Sequence, residues 1–231
     1  MEKKQLNDLF DYGLMIYQHP DYFKFSLDSI LLAEFAKIHK NDKVIDLCTG
    51  NAPIPLILST KYDNEIYGVE IQKDLYEYAL ESVKYNRKNQ IKLINDNIKN
   101  LKNYFPGNNF DIITCNPPYF RYNETGYLNI EPKKALARHE LSMNIDDLCF
   151  IMDYLLKNKG TIYMVYNAHR LFELAIKLSK YNIFIKKTVF VKTNDSKEYS
   201  IVLIKAVKNS KTDSKIGYID VREKKTYQNI F

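Results

Sequence analysis

Val44-Ile45-Asp46-Leu47-Cys48-Thr49-Gly50-Asn51-Ala52-Pro53 is an apolar run that ends in a tight turn of small residues and reopens with proline. Proline is suited to the first turn of a helix, where its missing N–H would be unsatisfied anyway. The stretch therefore predicts a buried strand, a close turn and a helix from Ile54 to Ser59. The same alternation repeats downstream. Ile66–Glu70 is a second strand, with a helix over 73–88; Ile91–Asn95 is a third, with a short helix running to about Tyr104. A fourth strand covers 110–115, a helix about 145–157, a fifth strand 161–166 and a helix about 169–180. Two last strands, 183–192 and 199–207, flank Thr193-Asn194-Asp195-Ser196-Lys197, a turn-rich link suited to an antiparallel hairpin. Strands alternating with helices imply an α/β fold: an open, doubly wound, mostly parallel sheet of seven strands with helices on both faces. Upstream, Ser26 is a good N-cap for an amphipathic helix through Ile30, Leu31, Ala33 and Phe35, so the N-terminal extension is expected to be helical.

In such a sheet, ligands bind outside the carboxyl ends of the strands, where strand order reverses. The fourth strand ends in Cys115-Asn116-Pro117-Pro118-Tyr119. Two consecutive prolines supply no N–H and hold the chain extended, so the strand stops there. The turn presents an amide, a free carbonyl and an aromatic ring together, a set suited to a planar nitrogen bearing two hydrogens. Asn116 Oδ1 and the Pro117 carbonyl each accept one N–H, while Tyr119 stacks on the ring behind. The plainer reading is a Pro-Pro turn with a locally packed tyrosine.

The other strand ends carry matching features. Gly50 is flanked by Cys48 and Ala52 in the small-residue positions of the first turn, which lets backbone approach a cofactor. Glu70 lies 20 residues later at the end of the second strand, the place for a carboxylate that accepts two ribose hydroxyls. Asp96 ends the third strand, where it can accept an adenine amino group with Ile71 and Asn97 beside the ring; Asp96-Asn97 reads equally as a helix N-cap. The turn has no P-loop lysine, which argues against a nucleoside triphosphatase.

Composition bounds the rest. At 231 residues the chain has room for one substantial domain. Cys48, Cys115 and Cys149 are widely spaced and, like the four histidines, show no ligand spacing, so reduced thiols and no metal are expected. There is no apolar run of membrane-spanning length and no signal-peptide pattern, so a soluble cytoplasmic protein is expected. The net charge of +6 is localised: residues 186–231 hold 11 basic and 5 acidic side chains, and the remainder balances. A basic C-terminal hairpin and tail is a footprint for phosphates or a solvated Lys-rich surface. Residues 120–137 show neither period and read as a long functional loop.

The succession Asp46, Gly50, Glu70, Asp96, Asn116-Pro117-Pro118-Tyr119, one feature per strand end, resembles the class I S-adenosylmethionine-dependent methyltransferases of the Asn-Pro-Pro-Tyr type. Within these it is similar to the bacterial tRNA1(Val) (adenine-37) N6-methyltransferase family over roughly residues 9–205. Gln18, the segment Phe25-Ser26-Leu27-Asp28-Ser29-Ile30-Leu31-Leu32-Ala33, Phe120 and Ala137-Arg138-His139-Glu140 carry the likeness further. It departs at Ala52, where the family usually has glycine, and after about Val207. The resemblance implies a single Rossmann-like methyltransferase domain over 1–231, with 1–40 as its N-terminal segment. It also implies S-adenosylmethionine as cofactor and tRNA as partner, with a monomer expected. Asn116, Pro117 and Tyr119 would be catalytic. Phe25, Ser26, Asp28, Asp46, Cys48, Gly50, Glu70, Ile71, Asp96, Asn97 and Asn116 would hold the cofactor. Pro118, Phe120, Lys133, Lys134 and Arg138 would meet the substrate; Arg138-His139-Glu140 reads equally as a helix-capping cluster. A protein glutamine N5-methyltransferase acting on release factors uses the same grip, and an rRNA or DNA amino-methyltransferase or an inactive cofactor-binding module are further alternatives.

Overall fold

A computed structural model describes residues 4–19, 26–117, 144–192, 199–210, 213–221 and 231. The central sheet has eight strands among these residues, in the order β10-β8-β9-β7-β6-β3-β4-β5. They are β3 (Val44–Leu47), β4 (Ile66–Glu70), β5 (Ile91–Asn95), β6 (Phe110–Cys115), β7 (Leu156–Asn167), β8 (Ile183–Lys192), β9 (Ile201–Lys208) and β10 (Lys215–Asp220). β5, β4, β3, β6 and β7 run parallel, and β9 is antiparallel to both β7 and β8. The chain winds from β3 outward through β4 to β5, then returns to the other side of β3 as β6. Strand order therefore reverses between β3 and β6, and their carboxyl ends open onto one crevice.

Helices cover both faces. α1 (Leu27–Phe35), α2 (Pro53–Lys61) and α3 (Lys73–Tyr85) lie on one; α4 (Ile145–Leu155) and α5 (Leu171–Ser179), with a 3₁₀ segment over Ile98–Asn103, lie on the other. Val44 to Leu47 are all buried because both faces of β3 are covered, which explains an apolar run without alternation. Its inner position is what makes Asp46, in the middle of that run, electrostatically unusual.

Three expectations are corrected. The N-terminal extension begins as an antiparallel hairpin, β1 (Gln5–Asp8) paired with β2 (Met15–Gln18), before α1. Gly13 in the left-handed region at φ 64° and the Leu9 N–H to Leu14 carbonyl bond close its turn. The tail adds β10, an edge strand parallel to β8, so the sheet has one strand more than the seven expected. Ser26 occupies the N-cap position of α1, but its side chain makes no capping bond; the Ser29 N–H takes the Ser26 carbonyl instead. The expected loop over 120–137 and the hairpin turn over 193–197 lie outside the described residues.

Candidate active site at the strand ends

The turn after β3 is built from three left-handed residues in alternation: Cys48 (φ 61°), Gly50 (φ 59°) and Ala52 (φ 69°). Only the middle one is glycine, so the other two hold a conformation that costs L-residues on the order of 1 kcal/mol each. The surroundings enforce it. The Thr49 N–H bonds the Val69 carbonyl, the Ala52 N–H bonds the Thr49 carbonyl, and the Asn51 Nδ2 bonds the Tyr17 carbonyl of β2. The N-terminal hairpin thus clamps the turn from outside; α3 holds the hairpin through Ser82 and Asn86. A side chain added at Gly50 would meet nothing within 4 Å, so the backbone there faces open space.

Two buried carboxylates stand behind this turn. Glu70 accepts from the Gly50 N–H at 2.8 Å and from the Gln72 N–H at 2.8 Å, one bond on each oxygen. Burial raises its pKa, and the amides of Gln72, Gly50 and Ile71 oppose that rise. Asp46 is fully buried; its Oδ1 accepts from the Thr114 hydroxyl at 2.6 Å, while Oδ2 makes no well-formed hydrogen bond among the described residues, the Thr49 hydroxyl being the nearby donor. Burial pushes its pKa up to about 7, against the Thr114 and Thr49 hydroxyls, and nearby Glu70 adds to the rise. A second buried acceptor, Gln18 Oε1 on β2, is likewise unpartnered among the described residues. An unpaired buried acceptor costs about 1–3 kcal/mol, so each of these two carries a polar group whose burial the described residues do not compensate.

Asp96 and Asn97 follow β5. Both side chains act in capping the 3₁₀ segment: Asn97 Oδ1 accepts from the Lys99 N–H, and Asp96 accepts from the Asn97 N–H, Asn100 Nδ2 and the Tyr104 hydroxyl. Slight burial pushes the Asp96 pKa up, but the bonds from Asn100, Tyr104 and Asn97 outweigh it and hold the carboxyl below its ordinary value. Oδ2, bonded to Tyr104 at 2.8 Å, retains one acceptor position. Ile71 lies beside them, its carbonyl accepting from Asn95.

The turn after β6 meets this group across the switch point. Leu47 and Cys115 are register partners, which sets Cys48 beside Asn116. Pro117 is buried and Asn116 half-buried. The Asn116 Nδ2 donates to the Ser29 hydroxyl of α1 at 3.0 Å. That bond turns the amide so that its nitrogen faces the helix and Oδ1 faces away. Asp28, beside Ser29, is buried in the first turn of α1. Cys48 and Cys115, far apart in sequence, come together here; burial and the neighbouring Cys48 thiol raise the Cys115 pKa well above its ordinary value. All three cysteines are free thiols.

Of the expected site residues, Ser26, Asp28, Asp46, Cys48, Gly50, Glu70, Ile71, Asp96, Asn97, Asn116 and Pro117 are described, at the carboxyl ends of β3 to β6 or on α1. Phe25, Pro118, Tyr119, Phe120, Lys133, Lys134 and Arg138 lie outside the described residues. Ser29 and Asn51 received no role from sequence; their partners Asn116 and Tyr17 are 87 and 34 residues away, with no local pattern to reveal them. Among the described residues no group of three or more His, Cys, Asp or Glu side chains is arranged to hold a metal ion, and no helix is long and apolar enough to cross a membrane.

Known proteins resemble this arrangement. A protein of Aliivibrio salmonicida named tRNA1(Val) (adenine(37)-N6)-methyltransferase is 27% identical over 184 residues, 78% of this chain and 75% of its own. One of Cytophaga hutchinsonii with the same name is 23% identical over 69% of this chain and 66% of its own. Among solved structures, a predicted O-methyltransferase of Agrobacterium tumefaciens superposes with a TM-score of 0.64 at 14% identity, covering 84% of this chain and 86% of that one. Pyrococcus horikoshii TYW2 in complex with MeSAdo gives 0.63 at 14% identity, covering 91% and 73%. These two establish the doubly wound fold. Residues 38–206, well over half of the sequence and spanning the ends of β3 to β6, match the model of a methyltransferase domain, and the chain belongs to that family.

Proposed function

We propose that the protein methylates the exocyclic N6 amino group of an adenine in a tRNA anticodon loop, position 37 of tRNA1(Val), with S-adenosylmethionine as donor. The observation that carries the reading is the Asn116 amide at the end of β6, held by its Nδ2 bond to Ser29 next to Pro117 and one strand from the Gly50 turn. The cofactor fits the residues present: Glu70 is a buried carboxylate fixed against the Gly50 turn where two ribose hydroxyls would lie, Gly50 leaves open space, and Asp46 Oδ2 with Gln18 Oε1 offers acceptors to an amino-acid ammonium. Asp96 and Asn97, with Ile71, border the adenine, Asp96 through its remaining acceptor position. Ser26, Asp28 and Cys48 lie toward the methionine end, and Phe25 is assigned there from sequence.

S-adenosylmethionine supplies an electrophilic methyl group on a sulfonium. The chain supplies position and polarity. An exocyclic adenine nitrogen is a poor nucleophile because its lone pair is delocalised into the ring. Asn116 Oδ1 and the Pro117 carbonyl accept its two N–H bonds, favour a pyramidal nitrogen, and bind more strongly as positive charge develops there. Tyr119 is assigned the stacking role, and the proton leaves to solvent after transfer. Pro118, Phe120, Lys133, Lys134 and Arg138 are assigned to the RNA side.

The names of the relatives and the basic 186–231 segment favour tRNA over a glutamine side chain, which the same two acceptors would grip. Incubating the protein with labelled S-adenosylmethionine and, separately, unmodified tRNA, release factor and duplex DNA tests the choice. Label on tRNA is expected; label on release factor alone would sink the tRNA reading.

A further inference from the structure

An open aromatic cleft of about 640 Å³ lies at the carboxyl-end edge of the sheet, away from the cofactor turn, lined by His169, Phe190, Tyr199, Ile216 and Tyr218. We infer that it is a stacking subsite for an unpaired nucleobase of the substrate RNA, beside the nucleotide presented to Asn116. The inference rests on the RNA reading above and adds where the rest of the loop is held.

Three observations point to it. First, position: β7 runs parallel to β6, so His169, just past its end, lies on the same edge as Asn116, as do the end of β8, the start of β9 and the end of β10. Phe190 is three strand spacings from the strand that carries Asn116 and Tyr218 four, roughly 14 and 19 Å. A few nucleotides of single strand cover that span.

Second, exposure: Tyr218 and Ile216 are 80% and 78% exposed on the edge strand, where bare apolar side chains invite aggregation and are ordinarily replaced by charge. Tyr218 is the register partner of Phe190, so the two rings project from the same face; Tyr199 meets Phe190 edge-on at 6.2 Å. A ring backed by rings and open above is a stacking platform, and every base has a face to stack on it.

Third, charge. Lys192 follows Phe190 by two residues on the same face, and Arg170 follows His169, its guanidinium 5.9 Å from the Tyr166 ring. Asp220 and Glu173 also stand nearby, and Glu173 pairs with Arg170. The C-terminal segment as a whole is strongly basic. The four charges named here cancel, so the cleft carries no field that would repel a phosphate backbone, and its ring faces on the edge that carries Asn116 suit an unpaired base of the RNA presented there.

The test uses the full chain and a fluorescent tRNA anticodon stem-loop. Tyr218→Ala is expected to weaken RNA binding and raise KM by about tenfold, while S-adenosylmethionine affinity is unchanged; Tyr218→Phe, which keeps the ring, is expected to behave like the native chain. 2-Aminopurine placed next to the target should be quenched on binding to the native chain and to Tyr218→Phe, and not to Tyr218→Ala. If the native chain methylates the RNA and Tyr218→Ala matches it in KM and quenching, the cleft is not a base subsite although the RNA reading stands. If Tyr218→Ala instead loses modification of a protein substrate, the cleft docks peptide. If the native chain neither binds nor methylates the RNA, both readings fall.

Discussion

Asp46→Asn isolates an electrostatic load built into the cofactor turn. The Asp46 carboxyl is wholly buried, with a pKa of about 7 against an ordinary 3.8. The native state therefore holds this proton more tightly than the unfolded chain does. Stability falls as pH rises from about 4, and the loss levels off above about 7. From those values, burying this carboxyl costs about 4 kcal/mol at pH 8, where it is ionised, and about 1.7 at pH 5, where the folded chain must take up the proton, before relaxation of its surroundings. Asparagine carries no such pH-dependent cost. It keeps the acceptor for the Thr114 hydroxyl but puts an unpaired N–H where Oδ2 stands, at about 1–3 kcal/mol regardless of pH. The stability of the variant relative to the native chain should therefore rise by roughly 2.5 kcal/mol between pH 5 and pH 8. Urea unfolding of both proteins at the two pH values, without cofactor, measures it. Parallel pH profiles would refute the argument, because they would mean that Asp46 is hydrated or paired. S-adenosylmethionine affinity should move the opposite way and fall, since the substitution removes the charge proposed to face the ammonium.

Other substitutions probe the same turn and its partners. Ser29→Ala should lower kcat at least tenfold while cofactor affinity holds, because the Asn116 amide loses its anchor; Ser29→Thr should restore much of the rate, and an unchanged kcat would show that the 3.0 Å bond orients nothing. Gly50→Ala should cost about 1 kcal/mol in urea unfolding from φ 59° alone and weaken the cofactor by calorimetry far more, since the added methyl meets only open space; intact affinity would place the cofactor elsewhere. Glu70→Gln should weaken the cofactor and also lower stability by about 1–3 kcal/mol, since the amide keeps an acceptor for only one of the Gly50 and Gln72 N–H groups; unaltered affinity would remove the ribose role.

The fold was legible because its signals are local. A parallel strand covered on both faces is a short, unbroken apolar run, and Val44–Leu47, Ile66–Glu70 and Phe110–Cys115 each end in residues that cannot continue it. Pro117 and Pro118 fix the end of β6 by covalent geometry alone. What sequence could not show is held by long-range contacts. Gln5–Asp8 has no apolar stripe of its own and becomes a strand only against β2. Lys215–Asp220 is short, contains Gly217 and exposes two of its large side chains, so its strand character comes from pairing with β8. Candidate site residues can be named from sequence where the chain's own turn places them, as at Gly50, Glu70 and Asn116. The contacts that hold them from another element have no local signal, as with Ser29 for Asn116 and Tyr17 for Asn51. Asp96 shows a limit of the other kind: the carboxylate sits at the expected strand end, yet Asn97, Asn100 and Tyr104 already use most of its acceptors.

The central claim is that the Asn116 and Pro117 acceptors present an adenine amino group of a tRNA anticodon loop for methylation. It is tested most directly by reacting the protein with labelled S-adenosylmethionine and two anticodon stem-loops, one with adenine at position 37 and one with inosine, which lacks the amino group. The account predicts N6-methyladenosine at that position in the first and no label in the second, with Asn116→Ala inactive on both while still binding cofactor. Equal labelling of the two RNAs, or label found only when a release factor is supplied, would contradict it.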